Sequence, residues 1–330
     1  MQNSNSRKTG GIGTGQIPVI RITTLTLPEA WEKAVLAIFG DGCYVATQWD
    51  KKDEQPSLDA TLIVEVHCPF SEPRVHKNIP CGFEDLELYA HDLISGEFDW
   101  HVDAEYYTYT YSHRFRRHWG VDQIEKVVEE ICKSPISRRN QIITWDPMID
   151  PGTQEPPCLQ RIWFRILEGD SGHFVLNMNT HWRSRDLWKA WFMNAFGMTA
   201  LQKEIAIRVG RELNKTVVPG RYVDISDSAH IYGRDQNPQV IQTMRTSSFM
   251  MRSISTKSEQ YQGSIKIAAE KLAMDKQKKE EFLAKMQEKK EALTPKKGKK
   301  ENGGDKVRDK KDEKEDIKEN EENTPKRIPR

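Results

Sequence analysis

The pattern of apolar and polar residues along this chain predicts a mixture of β-strands and α-helices. Apolar or β-branched residues alternate with polar ones in six stretches, which we predict to be strands: 17–25, 60–67, 141–145, 159–167, 174–181 and 221–232. Apolar residues recur at helical spacing in four others, which we predict to be helices: 28–39, 83–93, 121–133 and 188–212, the last as one helix or two. Because these strands and helices do not alternate regularly, the pattern favours an α+β domain over a doubly wound sheet.

The same pattern divides the chain into three segments. Residues 1–16 are polar and Gly-rich and are expected to be flexible, whereas residues 17–240 carry the periodic pattern of a folded domain. Residues 241–330 are expected to form a charged tail that is partly helical and then disordered, because its last part consists largely of Lys, Glu and Asn. Asp275 and Lys279 interrupt the apolar stripe of the helical part.

Charge follows this division. Residues 256–330 contain 22 Lys and Arg against 17 Asp and Glu, a net charge of +5, and the other 255 residues contain 28 against 32, a net charge of −4. The near-neutral chain therefore combines a slightly acidic body with a basic tail. Since nucleic-acid affinity depends on a basic surface, the acidic body argues against nucleic acid as a partner of the folded part.

The cysteines and the apolar runs predict a reducing, cytoplasmic location. The five cysteines are widely spaced, and no Cys-x-x-Cys pair or Cys/His cluster predicts a metal site. The polar N-terminus lacks the apolar core of a secretory signal, and no apolar run approaches the roughly 20 residues that span a bilayer. We therefore expect free thiols and no association with a membrane.

The most informative cysteine is Cys158, which follows a Pro-Pro pair. Proline fixes φ and lacks an N–H donor, so the pair leaves little conformational freedom before the predicted strand at 159–167. Arginines stand upstream at 138–139 and downstream at 183–185. A thiol among so many cations is expected to titrate low. The pattern predicts a nucleophile that acts on an anionic substrate.

Around Cys158, the order and spacing of six short motifs resemble the thymidylate synthase family. The motifs are Ser137-Arg138-Arg139, Trp145-Asp146-Pro147, Pro156-Pro157-Cys158, Arg183-Ser184-Arg185-Asp186, Phe192-Met193-Asn194 and His230-Ile231-Tyr232. Asn194 stands eight positions after Asp186, as the family pattern requires. The residues that follow Cys158 resemble archaeal members more than bacterial or animal ones. One such motif is weak evidence, whereas six in order are specific, and the resemblance covers roughly residues 17–235.

The resemblance implies a fold, an activity and an assembly. The fold would be a mixed β-sheet flanked by helices, with one sheet face at the interface of a homodimer. The activity would be reductive methylation of deoxyuridine monophosphate (dUMP) to thymidylate (dTMP), with the folate 5,10-methylenetetrahydrofolate as one-carbon and hydride donor and without a metal. The substrate phosphate is a dianion suited to arginine clamps, and each active site would contain residues of both subunits.

The resemblance also assigns roles to single residues. Cys158 would attack C6 of the pyrimidine and make C5 nucleophilic, and Arg183 would help to hold it as a thiolate. The other assignments are phosphate binding by Arg138 and Arg139 in the partner's site and by Arg183 and Ser184 in their own, binding of the sugar 3′-hydroxyl by His230 and Tyr232, binding of the pterin ring by Asp186, and a proton network at C5 that includes Tyr111.

Asn194 indicates which base the substrate contains. An amide offers both a donor and an acceptor, which match O4 and N3–H of uracil, whereas an Asp at this position would suit cytosine. The resemblance therefore implies a uracil nucleotide as the substrate.

Two family roles have more than one candidate in this chain. A glutamate that organises water near C5 would be Glu87, which we prefer to Glu84 on the same predicted helix. The arginine that closes on the phosphate from an N-terminal arm has three competing counterparts, Lys51, Lys52 and Arg74. The sequence does not decide among these three.

Two other functions stay open at this point. The family's apolar C-terminal segment, which closes over the folate, is not recognisable in residues 241–330. A deoxyuridylate or deoxycytidylate hydroxymethylase would use the same cysteine and folate but add water where the synthase adds hydride. A non-catalytic relative that binds nucleotides or RNA would instead use the basic tail.

Overall fold

An eight-stranded mixed β-sheet organises the chain. In the computed structural model, residues 15–51, 53–170 and 172–293 are described, and those up to Ala284 belong to one compact unit. The strands of the sheet are β1 (Val19–Thr24), β2 (Cys43–Val45), β3 (Ser57–Val66), β5 (Gln141–Ile143), β6 (Leu159–Glu168), β7 (Phe174–Trp182), β8 (Arg185–Asp186) and β9 (Val217–Ile231). The remaining strands, β4 (Val75–His76) and β10 (Ser253–Ile254), form a separate antiparallel pair.

The strand order of the sheet is β1-β3-β9-β7-β6-β5, with β2 beside β3 and β8 beside β9. The pairs β1–β3, β7–β9 and β8–β9 are parallel, and the other pairs are antiparallel. The register shifts between Ala60 and Leu62, between Leu159 and Arg161, and between Leu176 and Met178. Such irregularities bend a strand and redirect its side chains, and two of them lie next to the residues discussed below.

The helices are α1 (Leu27–Asp41), α2 (Phe83–Ser95), α3 (Trp100–Asp103), α4 (Tyr111–Arg116), α5 (Gln123–Lys133), α6 (Trp191–Leu213), α7 (Pro238–Thr246), α8 (Phe249–Arg252) and α9 (Glu259–Leu293). Helix α1 packs on β3 and α6 packs on β9, while α2 packs on α6. Alternate residues of β6, β7 and β9 are buried under this helical layer, and those between them stay half-exposed on the other face. No helix in the described ranges combines the length and apolarity that a bilayer crossing requires.

Every strand and helix predicted from the periodic pattern is present, and the α+β class is confirmed. The stretch 188–212 forms the single helix α6 rather than two. Its length reflects burial along most of one side, where residues three and four apart repeatedly contact the sheet or α2. The short strands β2, β4, β8 and β10 were not predicted, since two or three residues are too few to show a period.

The segment after residue 240 packs against the body up to Ala284. Arg252 forms a buried ion pair with Glu32 of α1, at 2.6 Å between Nη2 and Oε1, and His76 contacts the same carboxylate at 3.0 Å. In α9, the Tyr261 hydroxyl donates to Glu87 at 2.6 Å, and Asp275 accepts from Trp100 Nε1 and lies 2.9 Å from His101 Nε2. The predicted boundary at residue 240 therefore falls within a region of continuous contacts, while the predictions for residues 1–14 and 294–330 lie outside the described residues.

Candidate active site

Cys158 lies where the chain turns into strand β6, which is next to the edge strand β5. Its backbone carbonyl accepts a hydrogen bond from Arg183 N–H at 2.9 Å, which fixes the turn against the end of β7. The Arg183 guanidinium donates to the carbonyl of Pro157 through Nε at 3.0 Å and to the carbonyl of Pro156 through Nη2 at 2.6 Å. The Pro-Pro-Cys motif and Arg183 are thus joined by three hydrogen bonds.

A buried ion pair supports the loop that leads to this turn. Arg114 of α4 pairs with Asp150 at 2.6 Å, and Asp150 also accepts from Asp146 N–H at 2.7 Å. Arg114 donates in addition to the carbonyl of Thr144 at 3.3 Å. These bonds connect the Trp-Asp-Pro motif with the loop that precedes Cys158. The Trp-Asp-Pro and Pro-Pro-Cys motifs therefore share one framework.

The expectation of a low-titrating thiol is wrong for the single chain. Burial raises the pKa of Cys158 above its ordinary value, although the charges of Arg183 and Arg185 oppose that effect. Arg138 and Arg139 do not contribute, because both lie exposed at the far end of the turn before β5. Sequence proximity to four arginines overstated the positive charge that reaches the thiol, because only two of them face it.

Aromatic residues form the wall beside Cys158. The Tyr111 hydroxyl accepts from Leu159 N–H at 3.2 Å, next to the thiol, and the Tyr111 ring meets Trp182 edge-on at 5.6 Å. Tyr109 lies 5.5 Å from Tyr111, centroid to centroid. Burial raises the pKa of Tyr111 well above its ordinary value, so its phenol keeps its proton. Since its oxygen already accepts a bond, Tyr111 can offer that proton as a donor.

Asn194 lies on α6 with its amide directed at α2. Its Nδ2 donates to the Tyr89 hydroxyl at 2.8 Å, and Asn194 is 8% exposed. Burial raises the pKa of Tyr89, so the partner of the amide is a neutral phenol. One amide hydrogen is thereby occupied, and the other hydrogen and the carbonyl oxygen keep the donor and acceptor pair that a uracil edge requires.

His230, Asp186 and Tyr232 come together at the end of β9. Asp186 of β8 stands opposite His230 in the parallel ladder, and the His230 ring lies 4.7 Å from the Tyr232 ring. Burial and the neighbouring Asp186 raise the pKa of Tyr232, and Cys158 contributes to the same rise. The predicted sugar and pterin residues are therefore adjacent to each other, and Tyr232 lies within electrostatic range of the nucleophile.

The predicted phosphate residues Arg138, Arg139 and Ser184 lie in two different turns of the chain. Ser184 lies in the turn between β7 and β8, one residue after Arg183. The side chains of Arg138 and Arg139 are exposed beside the edge strand β5, and neither makes a polar contact within the described ranges. The Arg138 carbonyl accepts from Trp163 Nε1 at 3.0 Å, which anchors this turn to β6.

Glu87 is not brought to this cluster. Its carboxylate accepts from the Tyr261 hydroxyl of α9, and it stands two residues from Tyr89, about 200° around the helix. Tyr89 is the α2 side chain that reaches Asn194, so the water-organising role of Glu87 stays a prediction without a contact at the site. Tyr89 stands in none of the six motifs, so the sequence alone does not connect it with the site.

The three candidates for the phosphate-arm residue also differ in their surroundings. Arg74 donates to Thr199 and to the carbonyl of Pro69, and its guanidinium lies 4.0 Å from the Phe196 ring centroid, so it is committed to the α6 interface. Lys51 is exposed and pairs with Glu54. Lys52 lies outside the described residues.

Comparison with known proteins shows the family to which this chain is similar. A family model described as "Thymidylate synthase" matches residues 92–286, more than half of the 330 residues. The chain belongs to the thymidylate synthase family.

Archaeal relatives in this family carry the name "Putative thymidylate synthase". That of Methanosarcina acetivorans is 33% identical over 216 residues, which cover 65% of this chain and 90% of the relative. That of Methanothermobacter marburgensis is 31% identical, covering 62% and 90%, and that of Methanopyrus kandleri is 32% identical, covering 68% and 97%. The prediction of an archaeal-type family member is confirmed.

A solved structure supports the thymidylate synthase fold. Thermostable thymidylate synthase A from Bacillus subtilis superposes with a TM-score of 0.50 at 16% identity, covering 68% of this chain and 85% of that chain. At that identity the likeness concerns the fold alone. Among the described residues, no group of three or more His, Cys, Asp or Glu side chains could hold a metal ion.

Proposed function

We propose that this family member is a thymidylate synthase that converts dUMP to dTMP with 5,10-methylenetetrahydrofolate as co-substrate. The observation that supports it most is the convergence of the nucleophile, its cation and the predicted base and sugar contacts. Arg183 is hydrogen-bonded to the Pro-Pro-Cys turn, and Tyr232 lies within electrostatic range of Cys158. Asn194 is linked to the same cluster through Tyr89, which acts electrostatically on Tyr111.

The nucleotide would be held by its three chemical parts. Arg183 and Ser184 would bind the phosphate dianion, for which a guanidinium offers bidentate hydrogen bonds. The free donor and acceptor of Asn194 would pair with O4 and N3–H of uracil, and His230 with Tyr232 would face the 3′-hydroxyl. Bound in this way, the base presents C6 to the sulfur of Cys158.

Cys158 would then form a covalent bond to C6. The thiolate electron pair makes the S–C6 bond, and the C5–C6 π electrons move toward C5 and O4, where the Asn194 amide can stabilise the charge. Methylenetetrahydrofolate supplies the one-carbon unit and the hydride when it is bound. Asp186 offers a carboxylate oxygen to pterin N–H groups, since its other oxygen accepts from Lys189 N–H at 2.8 Å. The C5 hydrogen would leave as a proton and pass into the network that includes the Tyr111 hydroxyl. Re-formation of the C5–C6 double bond would then break the S–C6 bond and return the thiolate.

The second subunit would complete each site. The side chains of Arg138 and Arg139 are exposed and make no polar contact among the described residues, as expected for side chains that reach a neighbour's phosphate. The half-exposed face of β6, β7 and β9 supplies a surface for a symmetric homodimer.

The test is tritium release from C5-labelled dUMP in the presence of methylenetetrahydrofolate, with the product mass measured in parallel. The wild type should release tritium and give a product heavier than dUMP by one methylene unit, and Cys158→Ser should release none. Cys68→Ser, which alters an exposed cysteine, should behave as wild type. A product with one additional oxygen would identify a hydroxymethylase instead. Equal behaviour of the wild type and Cys158→Ser would remove the case for catalysis by this thiol.

A further inference from the structure

Two buried polar atoms next to the predicted sugar contacts have no partner in the described protein. They are Oδ1 of Asp59 and Nε2 of His230, on residues that are 6% and 8% exposed. A buried polar atom without a hydrogen bond costs free energy, so native structures pair such atoms with protein, water or ligand. The two atoms belong to residues that are paired on neighbouring strands.

The two residues stand directly opposite each other in the sheet. Asp59 of β3 pairs with His230 of β9, and His230 pairs in turn with Asp186 of β8. Side chains of directly paired residues project from the same face, with Cβ atoms about 5 Å apart. Asp59, His230 and Asp186 therefore form one row across three strands, and Asp59 extends the predicted sugar and pterin contacts by one residue.

The remaining contacts of Asp59 orient its free oxygen. Its Oδ2 accepts from the Ser228 hydroxyl at 2.7 Å, and Ser228 stands two residues before His230 on the same strand. The Ser228 carbonyl lies 3.3 Å from His230 Nδ1, so Ser228 contacts both members of the pair. A carboxylate oxygen can only accept when ionised, and its missing partner must therefore be a donor.

We propose that Asp59 is a direct ligand of the nucleotide sugar, with Oδ1 accepting a hydrogen bond from the 3′-hydroxyl held beside His230. This inference rests on the proposed function, because it takes dUMP as the occupant. A hydroxyl suits the position, since it donates to the carboxylate while its oxygen accepts from a neighbour such as the Tyr232 phenol. Burial raises the pKa of Tyr232, which therefore keeps its proton for that bond.

The test measures binding by calorimetry, for dUMP and for the analogue that lacks the 3′-hydroxyl, 2′,3′-dideoxyuridine 5′-monophosphate. Loss of the hydroxyl should weaken wild-type binding roughly 10- to 100-fold, as for a hydrogen bond to a charged group. Asp59→Asn should weaken dUMP binding by a similar factor. In the same variant, the ratio of the dissociation constants of the dideoxy analogue and dUMP should be roughly tenfold smaller than in the wild type.

Glu65→Gln provides the matched control, since it neutralises a carboxylate about 20 Å further along β3. It should keep the wild-type ratio of the affinities for dUMP and the dideoxy analogue. An Asp59→Asn variant that weakens both nucleotides equally would overturn the inference, because Asp59 would then act on the sheet and not on the hydroxyl. Wild-type protein that binds no dUMP would overturn the proposed function and this inference together.

A second measurement needs no variant and keeps the inference testable if Asp59→Asn does not fold. The 3′-fluoro analogue of dUMP carries a group of similar size that cannot donate a hydrogen bond. Wild-type protein should bind it roughly 10- to 100-fold more weakly than dUMP, because Asp59 Oδ1 would face fluorine without a proton between them. Equal affinity for the two nucleotides would overturn the assignment of Asp59 as an acceptor.

Discussion

Two opposing influences act on the thiol of Cys158. Burial raises its pKa, whereas the positive charges of Arg183 and Arg185 lower it. The net direction is upward, so the thiolate is a minor species at neutral pH and becomes more abundant as the pH rises through the elevated pKa. The reactivity of such a thiol depends on each cation beside it, and this dependence can be measured without any substrate.

Arg183→Gln should therefore slow alkylation of Cys158 by iodoacetamide. Removing the charge raises the thiol pKa further, and below that pKa the rate falls about tenfold for each unit of increase. We expect roughly a tenfold loss of rate near pH 8 and a pH profile displaced to higher pH. Mass spectrometry of the peptide that contains Cys158 gives the rate, and the exposed Cys68 of the same sample is the internal control. An unchanged Cys158 profile would show that Arg183 does not influence the thiol.

At the scale of elements, the segment α8–β10–α9 completes the core of the domain. Arg252 of α8 places its guanidinium on Glu32, with Nε to Oε2 at 2.8 Å and Nη2 to Oε1 at 2.6 Å. Burial alone would raise the pKa of Glu32, but the hydrogen bonds from His76 and Arg252 outweigh it, and the pKa is lowered. The carboxylate is thus ionised, buried and dependent on a residue 220 positions away.

Arg252→Met should lower the free energy of unfolding by about 3–5 kcal/mol, because it leaves a buried carboxylate without its main partner. Arg245→Met, which alters an exposed arginine of the preceding helix α7, should change it by no more than about 0.5 kcal/mol. Urea unfolding followed by circular dichroism measures both. Equal effects of the two substitutions would show that the ion pair does not stabilise the domain.

These elements also show where prediction from sequence succeeds and where it ends. Strands such as β6 and β7 were predictable because alternate burial imposes a period of two on the sequence. Asp275 and Lys279 instead looked like flaws in an apolar helix, and they prove to be its specific contacts with Trp100 and Glu97. A charge that serves a partner distant in sequence breaks the local period, so local pattern cannot identify its purpose.

The candidate site was predictable to a similar degree and for a related reason. Cys158 and Arg183 lie in short motifs whose residue types and spacing carry the chemistry, and the structure joins them. Tyr89 and Asp59 reach the site only through the packing of α2 on α6 and the pairing of β3 with β9. Neither stands in a motif, and only the three-dimensional register brings them beside Asn194 and His230.

At the scale of the whole molecule, a single chain does not contain all the predicted phosphate ligands in one place. Arg183 lies beside Cys158, whereas Arg138 and Arg139 are exposed beside the edge strand β5. A two-fold axis would let the same exposed turn serve the neighbouring site in both directions. Each active site would then contain residues of both subunits, and substitutions carried by two different subunits need not fall in the same site.

Mixing two inactive variants should therefore restore activity. Cys158→Ser removes the nucleophile, and the double variant Arg138→Ala with Arg139→Ala removes the phosphate ligands that reach the partner. In a hybrid dimer, one site carries both defects and the other carries none. With random exchange half of the dimers are hybrids, so about one quarter of wild-type activity should return. Tritium release after mild unfolding and refolding of the mixture measures it, and each variant refolded alone is the control. A mixture that stays inactive, although the subunits exchange, would place all ligands of a site in one chain.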